Sequence, residues 1–373
     1  MITAAAVSAA CIWAGVSSAD RLRPLAEAAA KLSVGSGGKD AEDSRLTHNE
    51  DIDYYWEDGG EIFTFSGEPK APAEEPQQED EEPAASCEFE SPEPTAESLG
   101  AVPYQNGNDQ DGEIVEYDFT GYSGSGYVDL DGGAQVKNCT DKPNDELYKE
   151  SLNEPDFTIE KTSEEPQILI YHTHTTESFE KEEKQWYDSS FPCKTTDSSM
   201  NMVAVGDAIC AELDKAGVGY VHDRVIHDYP SYDDAYDSSR ESVIALLEEY
   251  PSIKVVLDIH RDGIEREDGT RLAPMCEIDG RKAAQIMIIS GCDDGTMGMP
   301  ECMKNFRFAC ELQRCLEADW PGLTRPVLFD YRHYNQDLST GALLIEVGSQ
   351  ANTIEQACFT AKLIGKTLGS MAQ

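Results

Sequence analysis

From residue 160 to the end of the chain, short runs of branched and aromatic apolar residues alternate with longer amphipathic stretches, and this alternation narrows the accessible folds more than any other feature. The runs are "PQILIYHTH", "VGYVHD", "IKVVLDIHRD", "MCEIDG", "AQIMIISG" and "GALLIEVGS". Their apolar residues are too continuous for strands with one wet face, so they read as strands buried on both sides. Between them, "MNMVAVGDAICAELDKAG", "SRESVIALLEEY", "ECMKNFRFACELQRCLEADW" and "NTIEQACFTAKLIGKTLG" have helical spacing; Gly217 closes the first and Pro251 stops the second. Residues 160–373 are therefore predicted to form an α/β domain, with a mostly parallel or mixed central sheet flanked by helices on both faces. Ligands of such sheets gather at the carboxyl ends of the strands.

The remainder of the chain has another character. Residues 1–19 begin with "MITAAAVSAACIWAGVSS", uncharged and rich in small apolar residues, which is expected to be a membrane anchor or export segment. It lacks the basic leading flank of a signal peptide, as a truncated segment would. Residues 34–112 turn to Gly, Ser, Pro, Asp and Glu, the composition of a disordered, self-repelling linker. Within it, the aromatics of "IDYYWEDGGEIFTFSG" could make a short hairpin. Residues 113–150 alternate β-formers with Gly-rich turns, a small β-rich region that needs the following domain to pack on. A net charge of −43 with no basic stripe excludes nucleic acid as a partner, since phosphate binding needs clustered Lys and Arg. The eleven cysteines form no CxxC pair, and those in helical patterns, such as Cys210 and Cys310, are expected to serve as small buried hydrophobes.

Chemistry concentrates where three of the strand-like runs end. "ILIYHTHTTESFE" ends in His172 and His174, two residues apart, so on a strand they leave the same face. Glu177 follows, giving His174-x-x-Glu177. "VVLDIHRD" ends in His260, Arg261 and Asp262. Two histidines and a glutamate with one position open to water form a recurrent catalytic zinc set. His174 is the favoured ligand of the pair, with His172 as an alternative ligand or an oxyanion-stabilising donor. Zinc lowers the pKa of a bound water from 15.7 to about 7, and a carboxylate must still carry the proton to the leaving nitrogen. Glu346, in the otherwise apolar "ALLIEVGSQANT", is the candidate. His222, His227 and His333 are expected at the surface or behind the ligands.

The motifs "ILIYHTHTTESFE", "VHDRVIHDYPSYDDAYDSSRESV", "VVLDIHRDG" and "YNQDLSTGALLIEVGSQANTIEQA" resemble, in order, those of the stage II sporulation protein P family. The resemblance covers residues 160–373 and extends to the small preceding region. It implies a zinc-dependent N-acetylmuramoyl-L-alanine amidase of peptidoglycan with added endopeptidase activity. Such proteins are anchored outside the mother-cell membrane during engulfment and act with sporulation proteins D and M. By motif, the metal set falls on His174, Glu177 and His260 with His172 nearby, and the catalytic carboxylate on Glu346. Arg261 and Asp262 then orient His260 or a substrate carboxylate. A zinc carboxypeptidase would use a similar residue set, and a non-catalytic wall-binding scaffold would need no base. An amidohydrolase barrel would need more chain than this domain offers.

Overall fold

A computed structural model describes residues 86–91, 102–105, 109–162, 164–191 and 193–373. Their elements, in chain order, are β1 (Glu88–Phe89), β2 (Gly112–Tyr117), β3 (Tyr127–Asp129), β4 (Gln135–Asn138), α1 (Asn144–Ser151), β5 (Ile168–Tyr171), β6 (Trp186–Tyr187), α2 (Met202–Ala216), β7 (Tyr220–His222), α3 (Ala235–Glu249), β8 (Val255–Asp262), β9 (Arg271–Ile278), β10 (Arg281–Ala284), β11 (Ile286–Gly291), α4 (Cys302–Asp319), β12 (Val327–Asp330), β13 (Ala342–Ser349) and α5 (Ile354–Met371).

The helix ends follow from local chemistry. The Asn201 side chain accepts a hydrogen bond from the Val203 amide at the start of α2, and Gly217 closes that helix with φ 71°, a left-handed conformation that costs glycine nothing. Thr353 and Gln356 form a reciprocal capping box that starts α5 directly after β13.

Among the described residues the main sheet has nine strands in the order β1-β7-β5-β8-β13-β11-β12-β4-β3. From β1 to β13 neighbouring strands are parallel. Direction reverses between β13 and β11, and β11, β12 and β4 then run parallel to each other. This is the expected mixed α/β sheet. One face carries α2, α4 and α5 over Ile168, Ile170, Val255, Leu257, Ile259, Leu343, Ile345 and Val347. The opposite face is covered only in part: α3 lays Val243 and Leu246 over Leu169, Tyr171, Val221 and Val256. A second sheet, in the order β10-β9-β2-β6, stands beside the first.

One expectation is corrected. Part of the stretch read as linker is structured, since β1 pairs with β7 through Glu88↔Tyr220 and Phe89↔Val221, with Cys87 buried. In the β-rich region before residue 150, β2 joins the small sheet, while β3 and β4 extend the main one. Its attachment runs through Gln285, which is fully buried; the side chain accepts from the Phe119 amide at 2.8 Å and donates to Asp118 and to the Gly322 carbonyl at 2.9 Å. The anchor-like segment 1–19 and the aromatic stretch near residue 55 lie outside the described residues. Among the described residues no helix is long and apolar enough to cross a membrane.

Replacing Gln285 by Met keeps the volume but strands a buried amide donor at Phe119. A loss of about 1–3 kcal/mol is expected from the denaturant midpoint; an unchanged midpoint would show that this junction adds nothing to stability.

Candidate metal centre

β5 ends at Tyr171, so His172 and His174 lie in the turn after the strand, not on it. The turn is pinned on several sides. Thr175 Oγ1 donates to the His172 and Val225 carbonyls, and Thr176 donates to Asp228 through both its amide and its hydroxyl. Alternation no longer applies in such a backbone, and the two histidines part company across the sheet. This corrects the expectation of a shared face.

His172 goes to the α2 side. Its Nδ1 donates to the Ile259 carbonyl at 2.9 Å, which leaves the Nε2 lone pair facing His222 Nε2 at 2.9 Å. His222 in turn meets Asp207 at 3.1 Å. Burial and the neighbouring His222 push His172 down to about 3, so it is neutral. Both its ring nitrogens are engaged away from the other candidates. Gly206 makes room for the pair: a Cβ there would lie 2.4 Å from His222 Nε2 and 2.7 Å from His172 Nε2.

His174 goes to the α3 side. Its ring stacks on Tyr232 at 4.4 Å, with Nε2 3.1 Å from the Tyr232 hydroxyl, and stands edge-on to His260 at 5.1 Å. The remaining nitrogen, Nδ1, is buried with no hydrogen-bond partner. Burial and His260 push His174 down to about 3, so the ring is neutral.

β8 and β13 supply the other members. Along β8, Asp258, His260 and Asp262 alternate with Ile259 and Arg261, so the three polar residues share one face. The parallel register puts Glu346 of β13 beside His260. His260 Nδ1 lies 3.7 Å from Glu177 Oε2, and its Nε2 lies 2.8 Å from Asp258 Oδ1, off the line of a hydrogen bond. Burial alone would lower His260, but Asp258, Glu177 and Glu346 outweigh it and push the imidazole up to about 9. Asp258 is itself held below the ordinary carboxylate range: burial opposes this, but His260 and two hydrogen bonds from Thr173 prevail. Glu177 is raised by burial, an effect that Arg261 and His260 soften. Glu346 is pushed up to about 8 by burial and by Asp262, and one of its oxygens is buried without a partner.

Arg261 points to the opposite face from His260. Its guanidinium donates to the carbonyls of Ser178, Asp262 and Cys193, and its amide donates to Glu177 Oε2 at 3.1 Å. It therefore holds the loop that presents Glu177, in place of the expected contact with His260 or substrate. Asp262 pairs with the buried Arg325 at 2.8 Å. His227 meets Ser238 and Asp223, and His333 meets Asp337.

His174, Glu177, His260 and Glu346 are thus gathered in one place. They are not closed on a single point: among the described residues no three His, Cys, Asp or Glu side chains form a ready-made coordination shell. The donor set nevertheless fits a divalent cation, with a neutral histidine whose buried Nδ1 has no partner, a carboxylate facing a second histidine, and an adjacent carboxylate with a free oxygen. Asp258 and Tyr232 stand behind the two histidines, where ligand-orienting groups are found. Sequence reasoning missed both. The signal for Asp258 was its place two residues before His260 on a strand; nothing local marked Tyr232.

A family model described as stage II sporulation protein P (SpoIIP) matches residues 69–369. The chain belongs to this family. Stage II sporulation protein P of Bacillus subtilis (strain 168) is 29% identical over 206 residues, 52% of this chain and 48% of that protein. The match thus spans about half the length of that relative. Among solved structures, the N-acetylmuramoyl-L-alanine amidase AmiC2 of Nostoc punctiforme aligns at 10% identity and a TM-score of 0.31, covering 55% of this chain and 94% of that one. The apo form of the N-acetylmuramyl-L-alanine amidase Ami1 from Mycobacterium abscessus aligns at 13% identity and 0.31, covering 56% and 99%. The candidate residues of this family member all fall inside the matched range.

Glu346 also gives the folded protein a pH signature. Its carboxyl stands at about 8 against an ordinary 4.5, so the folded chain binds that proton more tightly than the unfolded one. The stability it contributes is complete below the ordinary value and is lost as pH rises through the folded one. In metal-free protein, Glu346→Gln should therefore be more stable than the parent near pH 8, by on the order of 4 kcal/mol, and equal to it near pH 4. A thermal-melt difference that does not change with pH would contradict an ionised, buried Glu346.

Proposed function

We propose that this protein is a peptidoglycan hydrolase of sporulation. In this reading it is a zinc-dependent amidase that cuts the amide between the lactyl group of N-acetylmuramic acid and L-alanine, with added activity on peptide cross-links. The observation that carries the reading is the buried group of His174, Glu177 and His260 beside the unpartnered oxygen of Glu346. The family membership, with the activity that the motif resemblance implies, supports it.

In this proposal His174 through Nδ1, Glu177 and His260 hold the zinc. Bound there, zinc would supply a water acidic enough to attack at neutral pH and would polarise the scissile carbonyl. The chain's own groups do the rest. Asp258, against the far nitrogen of His260, fixes the ring and raises its basicity, and Tyr232 does the same work of orientation for His174. Glu346 takes the proton of the attacking water and returns it to the leaving nitrogen. A carboxyl pushed up to about 8 by burial suits both halves of that transfer, because a group poised near the working pH can accept a proton and give it up. Arg261 keeps Glu177 in place by tying down the loop around it. His172, turned to the other face, is assigned no ligand role.

The location and partners proposed follow the same membership. Residues 1–19 anchor the protein in a membrane with the catalytic domain on the wall side, and sporulation proteins D and M are its partners.

Glu346→Ala should keep its zinc and lose about 10²–10⁴-fold in hydrolysis of purified sacculi. Metal analysis with product identification decides the matter: an amidase frees whole stem peptides from glycan, whereas release of terminal amino acids alone would make the protein a carboxypeptidase. Full activity in the variant, or loss of its metal, would remove Glu346 from the assigned role. The two histidines separate in the same assay. His174→Ala should lose zinc and His172→Ala should retain it; the reverse pattern would return the ligand role to His172.

A further inference from the structure

Beside the candidate centre the chain adopts a backbone that side chains normally avoid. Tyr334 and Asn335 follow one another with φ of 45° and 55°. Two successive left-handed residues, neither of them glycine, are costly, and such strain persists where surrounding contacts enforce it and commonly marks functional sites. The enforcing contacts are present. Asn335 donates to the Tyr236 carbonyl at 3.2 Å and to Ser239 at 3.3 Å, and accepts from Arg240 at 3.2 Å. Arg240 is itself held by Asp337.

The outcome of this bracing is the position of the Tyr334 ring. It stacks on Tyr236 at 5.5 Å, with 30° between the planes, and Tyr236 stands edge-on to His174 at 5.5 Å. Arg332 donates to the Tyr334 hydroxyl, and its guanidinium lies 5.7 Å from the ring centre. Both tyrosines lie within electrostatic reach of Glu346. Tyr334 packs one side on the small apolar patch of Met287, Ile289, Leu328 and Leu344, yet it is only partly buried. Leu344 of that patch and Glu346 lie two residues apart on β13, so the tyrosine pair stands on the same sheet face as the candidate metal group. A residue needed only to cap an apolar patch would not require a left-handed backbone or a guanidinium to fix its hydroxyl.

We propose that Tyr334, with Tyr236 behind it, is a binding platform for a pyranose ring: the sugar that carries the scissile amide. The flat, partly exposed aromatic surface beside His174 and Glu346 suits the apolar face of a sugar ring, and the hydroxyl fixed by Arg332 is placed to meet its polar rim. Arg332 acts as a positioning residue, through Tyr334. The proposal rests on the hydrolase reading above and adds the part of the substrate that this side of the site recognises.

The test compares two soluble substrates, a disaccharide-tripeptide muropeptide and the matching N-lactoyl tripeptide without sugar. Tyr334→Ala should raise KM for the muropeptide by about 10- to 50-fold, as loss of an aromatic anchor does, and change kcat/KM for the sugar-free amide by less than about 3-fold. Tyr334→Phe, which keeps the ring but frees it from Arg332, should fall between the parent and the alanine variant on the muropeptide and match the parent on the sugar-free amide. Tyr334→Gly, which fits the left-handed backbone without strain, should reproduce the alanine result and guards against a folding failure. Equal losses on both substrates, or no loss on either, would overturn the proposal. In parallel, binding of the muropeptide is measured by calorimetry with Glu346→Gln and with Glu346→Gln/Tyr334→Ala, which needs no cleavage. If the parent cleaves neither substrate but the double variant binds at least 10-fold more weakly, the hydrolase reading fails and the sugar platform stands. Equal binding by the two variants sinks the platform whatever the parent cleaves.

Discussion

The pairing of β8 with β13 is the constraint on which the rest of this structure depends. Because the two strands are parallel and Glu346 lies opposite His260, an acid and an imidazole are fixed side by side on one face of the sheet. Neither can turn away, since both strands are buried on both faces along their whole length. Sheet geometry therefore sets the distance between the two groups, and burial sets their protonation. Glu346 is driven up by lost hydration, while His260 is driven up by three carboxylates that outweigh the same loss. An interior that could exclude such ionisable groups instead holds them against one another.

The turn after β5 completes the group from the third side. It brings His174 toward α3 and sends His172 toward α2, so a pair of histidines two residues apart serves two different layers of the molecule. Glu177 reaches His260 because Arg261, on the reverse of the same strand, holds the carbonyls of the loop behind it. The tyrosines beside His174 come from two separate segments, Tyr232 and Tyr236 from around the start of α3 and Tyr334 from the loop before β13, and meet only in the folded chain.

Much of this was legible in the chain. The strands ending in Tyr171, His222, Asp262, Gly291 and Ser349 and the four long helices stand where apolar periodicity put them, down to the glycine that closes α2. Other elements escaped: β10 opens with the exposed Arg281 and Lys282, β12 goes unread despite the apolar start of its VLFD, and β1 lies in a stretch whose acidic composition hid a two-residue strand. At the site, His260 and Glu346 were recognisable as polar residues near the ends of apolar strands, and His174 and Glu177 as polar residues just after one. Arg261 was not assigned correctly, because alternation along β8 sends it to the face opposite His260.

By itself the sequence determined the layered α/β plan and the identity of the ionisable residues, because hydrophobic periodicity and the cost of burying charge are properties of local stretches. Only the tertiary structure decided which of two neighbouring histidines joins the group, which aspartate stands behind His260, and which tyrosines stand beside His174. Those outcomes depend on where β5 gives way to a turn, on strand register and on loop bracing. They are set by contacts between segments 50 to 100 residues apart, such as His172 with His222 and Tyr236 with Asn335, and no local pattern encodes them.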